Sequence, residues 1–439
     1  MSLNGTAASL RPFVPSTLLE WLHQRPEQRW QLISGSLIFS DVSGFTALSE
    51  RLSRLGKRGA EELNALLNIV IGAMVADCEA ESGDVLVFGG DAIVVLFVGE
   101  RHAERAARAA HAIRRTVTGR HRTESGVIAT LKVSTGVHSG EIMMLRTRPG
   151  FEKLVIVGPA VSDLCRAEGA ASAGQVLLSE GAVPALHERL LGEPVGAARL
   201  LKRKPPAASV PHVRSGEGEI EVDADVLLDC VPPGQRELHA TTTIGEHRQV
   251  AVAFIQFSGA DELLTRDGPA ALTSAINELS VEVARVAAEN GTHVLDMDVA
   301  IDGGKYYLAA GAPISLELDE ERLLRTVVGL VRHRSPLRIS AGVNRGRVFA
   351  GVLGGASRRC YTCLGDTVNL AARLCAKADA AQVVAPNDYL DHVAPDTEAT
   401  RCRRSWSRAR RHPSKRHWSK TSTLERSLRT RLTRSRRRR

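Results

Sequence analysis

Ser36-Leu-Ile-Phe-Ser-Asp41-Val-Ser-Gly44 runs five apolar or small residues into a carboxylate and then into a turn of small residues. It reads as a buried strand that ends in a tight turn. The next segment is helical: Leu48, Leu52 and Leu55 recur at helix spacing, and a second helix is expected over about Ala60–Ala80. The chain then comes back as a hairpin, Asp84–Phe88, Gly89-Gly90 and Asp91–Phe97. An Ala-rich helix (Glu104–Val117), strands at Leu131–Val137 and Lys153–Val157, a helix from Val161 to Glu168 and a strand at Gln175–Leu178 complete the order β-α-α-β-β-α-β-β-α-β. Helices that return to an antiparallel or mixed sheet make the fold class α+β, not doubly wound. Upstream, 14–29 is expected to hold a short helix with Ser16 as N-cap and Leu18, Leu19 and Leu22 on one face.

The pattern occurs twice. Ser340-Ala-Gly-Val-Asn-Arg-Gly346 matches Ser134-Thr-Gly-Val-His-Ser-Gly140, 206 residues earlier, and Gly365-Asp-Thr-Val-Asn-Leu-Ala-Ala-Arg373 matches Gly158-Pro-Ala-Val-Ser-Asp-Leu-Cys-Arg166, 207 residues earlier. Gln249–Phe257 opens the second copy as a strand, Ala270–Ala288 is its helix, and Asp302-Gly-Gly304 reads as a hairpin turn before Tyr306–Gly311. The expected organisation is an N-terminal helical segment (1–32), a first domain (33–201), a linker (202–245) rich in Pro, Gly and charge, a second domain (246–398) and a basic tail (399–439). Two like domains in one chain suit packing about a pseudo-twofold axis, with composite sites between them.

The net charge of +9 on 439 residues is uneven. Seventeen of the 58 Lys and Arg fall in 401–439 beside one acid, Glu425, which leaves 41 basic against 48 acidic residues in 1–400. A wholly basic nucleic-acid binder is therefore not expected. The tail itself reads either as an arm for nucleic acid or anionic surfaces, with Trp406 and Trp418 able to stack, or as a disordered extension. No apolar run approaches bilayer length, the longest being around Leu67–Ala76; the N-terminus lacks a signal-peptide layout, and seven cysteines are too few for a disulfide scaffold. A soluble, reducing, cytoplasmic setting is expected. Cys360-Tyr-Thr-Cys363 lacks a second pair or a nearby His, so it reads as two buried or turn thiols, not a zinc site.

Asp41 closes a strand and Asp91 opens one. If those strands are neighbours, both carboxylates reach one point and suit a pair of divalent cations for chemistry at phosphorus. The plainer reading is a helix cap and a turn residue. Backbone N–H groups of Val42, Ser43, Gly44, Phe45 and Thr46, at a helix N-terminus, are placed to cradle a polyphosphate. In an ungapped register the second copy has Gln256 and Lys305 at the two acid positions. Asn369 and Arg373 lie four apart and share a helix face, where Arg373 can stabilise charge on a transferring phosphoryl group and Asn369 can orient a hydroxyl. Ser162 and Arg166 stand there in the first copy. One copy keeps the acids and the other keeps the Asn/Arg pair, which a single composite site explains.

Phe39-Ser-Asp-Val-Ser-Gly-Phe-Thr46, Phe88-Gly-Gly-Asp-Ala92 and Gly365–Arg373 together resemble the motifs of class III nucleotidyl cyclases, and the tandem arrangement is similar to soluble adenylyl cyclases with two catalytic domains. The resemblance covers about 33–398. It implies two ferredoxin-like domains (βαββαβ core) paired head to tail. Asp41 and Asp91 would hold two Mg²⁺ or Mn²⁺, Asn369 would position the ribose and Arg373 would bear on the α-phosphate. The implied activity is adenylate cyclase, a phosphorus–oxygen lyase in which the ribose 3′-oxygen attacks the α-phosphorus of ATP in line and releases pyrophosphate. Thr362 stands where a Thr that accepts from the adenine 6-amino group is expected, although its hydroxyl can also donate to guanine. The base-reading Lys position is Ile301 in the ungapped register, with Lys305 able to serve if the hairpin carries a small gap. Val87, Cys165 and Ser134 replace cations of bicarbonate-sensitive or phosphate-binding relatives, with Lys132 on the same strand face as Ser134. Bicarbonate regulation is not expected. The alternatives are a guanylate cyclase or a catalytically weak nucleotide-binding regulatory module.

Overall fold

The computed structural model describes residues 9–147, 152–207, 222–236, 245–393, 400–401 and 425–427. The first repeat runs α1 (Ser16–Gln24), β1 (Trp30–Ser43), α2 (Phe45–Ser53), α3 (Gly56–Glu79), β2 (Asp84–Phe88), β3 (Ala92–Val98), α4 (His102–Val117), β4 (Gly119–Arg122), β5 (Ile128–Thr147), β6 (Lys153–Val157), α5 (Pro159–Ala170), β7 (Val176–Leu178), β8 (Leu191–Val195) and β9 (Ala198–Leu201). After α6 (Ala224–Asp229) come β10 (Glu246–Ser258), α7 (Ala260–Asn290), β11 (His293–Ala300), β12 (Gly303–Ala310), α8 (Asp319–Val331), β13 (Arg338–Gly354), β14 (Arg359–Leu364), α9 (Asp366–Cys375), β15 (Val383–Pro386), α10 (Asn387–Val393), β16 (Thr400–Arg401) and β17 (Glu425–Ser427). Most of the tail lies outside the described residues.

Two mixed sheets organise these elements into an α+β fold. Their strand orders, β2-β3-β1-β5-β7-β9-β8 and β11-β12-β10-β13-β15-β17-β16, correspond strand for strand over the first five positions. β1 and β10 are the central strands, each antiparallel to both neighbours. A central strand covered on both faces reads as a near-continuous apolar run, and Leu37, Ile38 and Val42 are all buried. Period-two alternation sends Ile38 and Val42 into the core under α2, α3 and α4, and Leu37 into the core under α1 and α5.

The repeats complete each other's cores. Phe349, Leu353 and Cys360 of the second join the apolar cluster of the first, while Met143, Leu145, Val155 and Val157 of the first join the cluster beneath α7 and α8. Phe349 and Met143 are 206 residues apart, so the exchange is reciprocal at equivalent positions. Part of the stretch read as a linker is also packed: Leu227, Cys230 and Val231 enter the cluster under α1 and α5, and Gln235 Nε2 donates to Leu295 O at 2.8 Å.

Three features differ from the sequence reading. The β11–β12 turn is Ile301–Asp302, with Gly303 and Gly304 inside β12, because Asp302 itself adopts the left-handed φ of 62°. α7 starts ten residues before the expected helix and breaks at Gly268 (φ 82°), ahead of Pro269. By length and mean hydropathy, Arg58–Glu79 in α3 is long and apolar enough to cross a membrane, contrary to the expectation that no segment approaches that length. Its Leu63, Leu67, Val70, Ile71 and Met74 are buried in the first core.

Candidate active site

Asp41 lies near the end of β1, opposite Ala92 on β3 and Ser134 on β5. It shares the face of Leu37, towards α5. Val42 N–H donates to Asp91 O at 3.3 Å, which pins the β2–β3 hairpin to the end of β1 and brings the two acids together. Burial is the main cause that raises both carboxyls above the usual range; Asp298 adds to the effect on Asp41, and Asp41 adds to that on Asp91.

The chain then enters α2. Gly44 adopts φ 116°, and a Cβ there would stand 2.7 Å from Thr130 O, so a side chain fits neither the dihedral nor the space. Val42 and Phe45 are buried, whereas Ser43 is exposed and its Oγ donates to Lys132 O at 3.3 Å. Phe45 and Thr46 form the first turn of α2, where main-chain N–H groups lack partners within the helix.

On the second repeat, Asn369 and Arg373 are exposed on α9. The Arg373 side chain folds back along the helix, and its Nη2 donates to Asp366 Oδ1 at 3.2 Å. Thr362 is buried on β14 on the same face as Cys360 and Leu364, both of which pack on the first repeat's core. Tyr361 and Cys363 face the other way, into the second repeat's own cluster. The two thiols of the Cys-x-x-Cys therefore point to opposite faces and do not converge on one ion. Burial pushes the Cys363 thiol up to about 12.

The register of the second sheet corrects one expectation. Asp41 pairs with Ser134 and Ala92, while Gln256 pairs with Ser340 and Lys305. Lys305 is thus the counterpart of Ala92, and Gly304, not Lys305, stands at the position of Asp91. Lys305 is half-buried and is paired across β12 and β11 with Asp298. Its charge reaches Asp298 and, in the first repeat, Glu168 and Cys165.

Two acids join the group that the sequence reading did not include. Glu168 on α5 accepts from Ser134 Oγ at 2.9 Å; burial above all, then Asp41 and Asp298, push it up to about 7 against the opposing pull of Ser134 and Lys305. Asp298 is raised by burial, with Lys305 opposing. Asp298 crosses from the other repeat: a Cβ on Gly89 would stand 3.2 Å from its Oδ2. The sequence did hold a signal for it, since Asp296 and Asp298 alternate with Leu295, Met297 and Val299 along the strand. Beside it, a Cβ on Gly90 would stand 3.0 Å from Leu364 Cδ2, so the hairpin that carries Asp91 abuts the chain just before α9.

Among the described residues, no group of three or more His, Cys, Asp or Glu is arranged to hold a metal ion by itself. Hard oxygen donors from Asp41 and Asp91 nonetheless fit Mg²⁺ or Mn²⁺, because such ions take one or two carboxylates and complete their shells with water and substrate phosphates.

Residues 242–405 match the model of the adenylate and guanylate cyclase catalytic domain. The second repeat thus carries a domain of the class III cyclase type. Adenylate cyclase type 10 of Oryctolagus cuniculus is 25% identical over 401 residues, which covers 80% of this chain and 24% of that protein. The Homo sapiens protein of the same name is 26% identical over 409 residues, covering 81% and 24%. The chain therefore spans about a quarter of the length of these curated relatives. A class III adenylyl cyclase-like ATP-binding protein from Pseudomonas aeruginosa shares its fold, with a TM-score of 0.60 at 12% identity, covering 82% of this chain and 85% of that one.

Proposed function

We propose that the chain is an adenylate cyclase with one active site, built from the acids of the first repeat and the Asn/Arg helix of the second, the two repeats being ferredoxin-like domains paired head to tail about a pseudo-twofold axis. One observation carries the reading: the Asp91 hairpin abuts both Asp298 on β11 and Leu364, which leads into α9. The reciprocal exchange of core residues supports the pairing.

In this reading Asp41 and Asp91 hold two Mg²⁺ or Mn²⁺, which when bound acidify the ribose 3′-hydroxyl and neutralise phosphate charge. The main chain from Val42 to Thr46 receives the polyphosphate. Asn369 orients the ribose so that its 3′-oxygen lies in line with the α-phosphorus. Arg373, released from Asp366, stabilises the charge that grows on the α-phosphoryl oxygens. The 3′-hydroxyl gives its proton to solvent and the 3′-oxygen–phosphorus bond forms as the bond from the α-phosphorus to the α,β-bridging oxygen breaks; pyrophosphate leaves and 3′,5′-cyclic AMP remains. Thr362 and Lys305 read the base. A cytoplasmic setting belongs to the same proposal.

A second reading, guanylate cyclase, is favoured by Asp298. A carboxylate at the inter-repeat seam can accept from the ring N–H and 2-amino group of guanine, whereas adenine offers no such pair of donors. The test is product analysis with purified full chain, Mn²⁺ or Mg²⁺, and ATP or GTP, against Asp41→Asn and Arg373→Ala. Cyclic AMP that vanishes in both variants supports the proposal. A dominant cyclic GMP product, reversed by Asp298→Asn, moves the assignment to guanine. No product from a folded chain that binds ATP leaves a regulatory module.

A further inference from the structure

The seam between the repeats has a second junction, where the second repeat's own strand-to-helix turn meets α5 of the first. There Asp302 satisfies three successive amides at the start of α7. Its Oδ2 accepts from Gly259 N–H at 2.8 Å, its backbone carbonyl from Ala260 N–H at 3.1 Å and its Oδ1 from Asp261 N–H at 3.0 Å. These are the groups that a helix N-terminus offers to an anion. Arg338 Nη2 adds a charge-assisted bond to Oδ2 at 3.1 Å.

The network also crosses between the repeats. Asp302 N–H donates to Ser162 Oγ at 2.8 Å, and Ser162 Oγ donates to Asp261 Oδ2 at 2.7 Å. Ser162 is fully buried and sits on α5 where Asn369 sits on α9. Next to it, Gln256, Ser258, Arg338, Ser340 and Cys375 border a cavity of about 220 Å³. That is smaller than the roughly 300 Å³ at which small-molecule pockets begin. No carboxylate lines it, and its one cationic lining residue, Arg338, already pairs with Asp302.

We propose that this second junction is a closed latch and not a second ligand site: Asp302 is a built-in anion that fills the α7 cradle and, through Ser162, fastens α5 of the first repeat to the second. The expected nucleotide count rests on the cyclase reading; the anion and latch measurements do not.

The test uses the full chain. Direct titration with a non-hydrolysable ATP analogue and Mn²⁺ is expected to give one nucleotide per chain. Thermal unfolding is then compared in inorganic phosphate, in bicarbonate and in chloride at matched ionic strength. Wild type is expected to show no shift specific to phosphate or bicarbonate, and Asp302→Ala to gain one. Ser162→Ala is expected to lower the midpoint by about 2–4 °C. Two nucleotides per chain overturn the proposal, as does an anion-specific shift in wild type equal to that of Asp302→Ala, or an unchanged midpoint in Ser162→Ala. Zero nucleotides with the expected anion and latch results sink the cyclase reading and uphold the latch. If Asp302→Ala does not fold, Asp302→Asn, which keeps one acceptor, and the wild-type measurements decide.

Discussion

Gly90 of the β2–β3 hairpin and Leu364 at the end of β14 meet across the seam, with 3.0 Å between the leucine Cδ2 and the place a Cβ would take on the glycine. Gly90 also adopts φ 78°, where a side chain is strained. Gly90→Val should therefore displace the hairpin that carries Asp91, while the cores on either side stay packed. A misplacement on the order of 1 Å costs about 10²-fold in rate. On the proposed function, cyclase turnover should fall by about that factor with the far-ultraviolet circular dichroism spectrum unchanged; an unaltered rate would separate the hairpin from the chemistry.

If the active site is made within one chain, two defective chains do not repair each other. Asp41→Asn and Arg373→Ala proteins, each inactive, should remain inactive when mixed. Recovery of product that grows with the concentration of both would show that sites form between chains.

Stability should fall as pH rises through about 7. Glu168 titrates at about 7 in the folded chain against a reference value of 4.5, chiefly because burial disfavours its charge. Between those values the folded state holds a proton that the unfolded state has lost, so folding is favoured on the acid side and weakened above it. Asp41, Asp91 and Asp298 shift the same way. His102, His111, His138, His247 and His293, all depressed by burial, act oppositely below their reference value of 6.5. The unfolding midpoint should thus be higher near pH 6.5 than near pH 8. Glu168→Gln should flatten that slope, and Mn²⁺ should flatten it further by offsetting the charge on Asp41 and Asp91.

Arg358 is a buried cation that joins three segments. Its Nε donates to Val85 O at 2.8 Å, its Nη1 to Pro12 O at 2.9 Å, and its guanidinium lies 5.3 Å from the Phe88 ring centroid. Arg358→Met keeps much of the volume but strands both carbonyls, each at a cost of about 1–3 kcal/mol when buried. Urea unfolding should show a loss of that order, and the chain near Pro12 should become the first protease cleavage site.

The acids and the Asn/Arg pair were legible because each sits in a short local pattern: a strand running into small residues, a glycine hairpin, a helix start. The order of elements along the chain was legible from the apolar pattern, whereas the order of strands within each sheet came only with the structure. What escaped depends on register and turn geometry. Lys305 moved by one position because the β11–β12 hairpin is built longer than β2–β3, a difference that an ungapped offset hides. Asp302 was passed over because the two glycines after it looked like the turn, whereas the Asp takes the left-handed position itself and is held there by the amides of α7. Glu168 and Asp298 come from elements far apart in sequence, and only the packing of two repeats shows that they face one another.

The exchanged core residues set an order of events during synthesis. Phe349, Leu353 and Cys360, which fill part of the first repeat's interior, emerge about 200 residues after β5. At about 5–20 residues per second, the ribosome delivers them on the order of 10–40 s later. During that interval the strip of α3 that β13 covers lacks its partner on the nascent chain. A polypeptide released at the inter-repeat linker would carry that uncovered strip away with it, so the junction between the copies guards solubility as well as geometry.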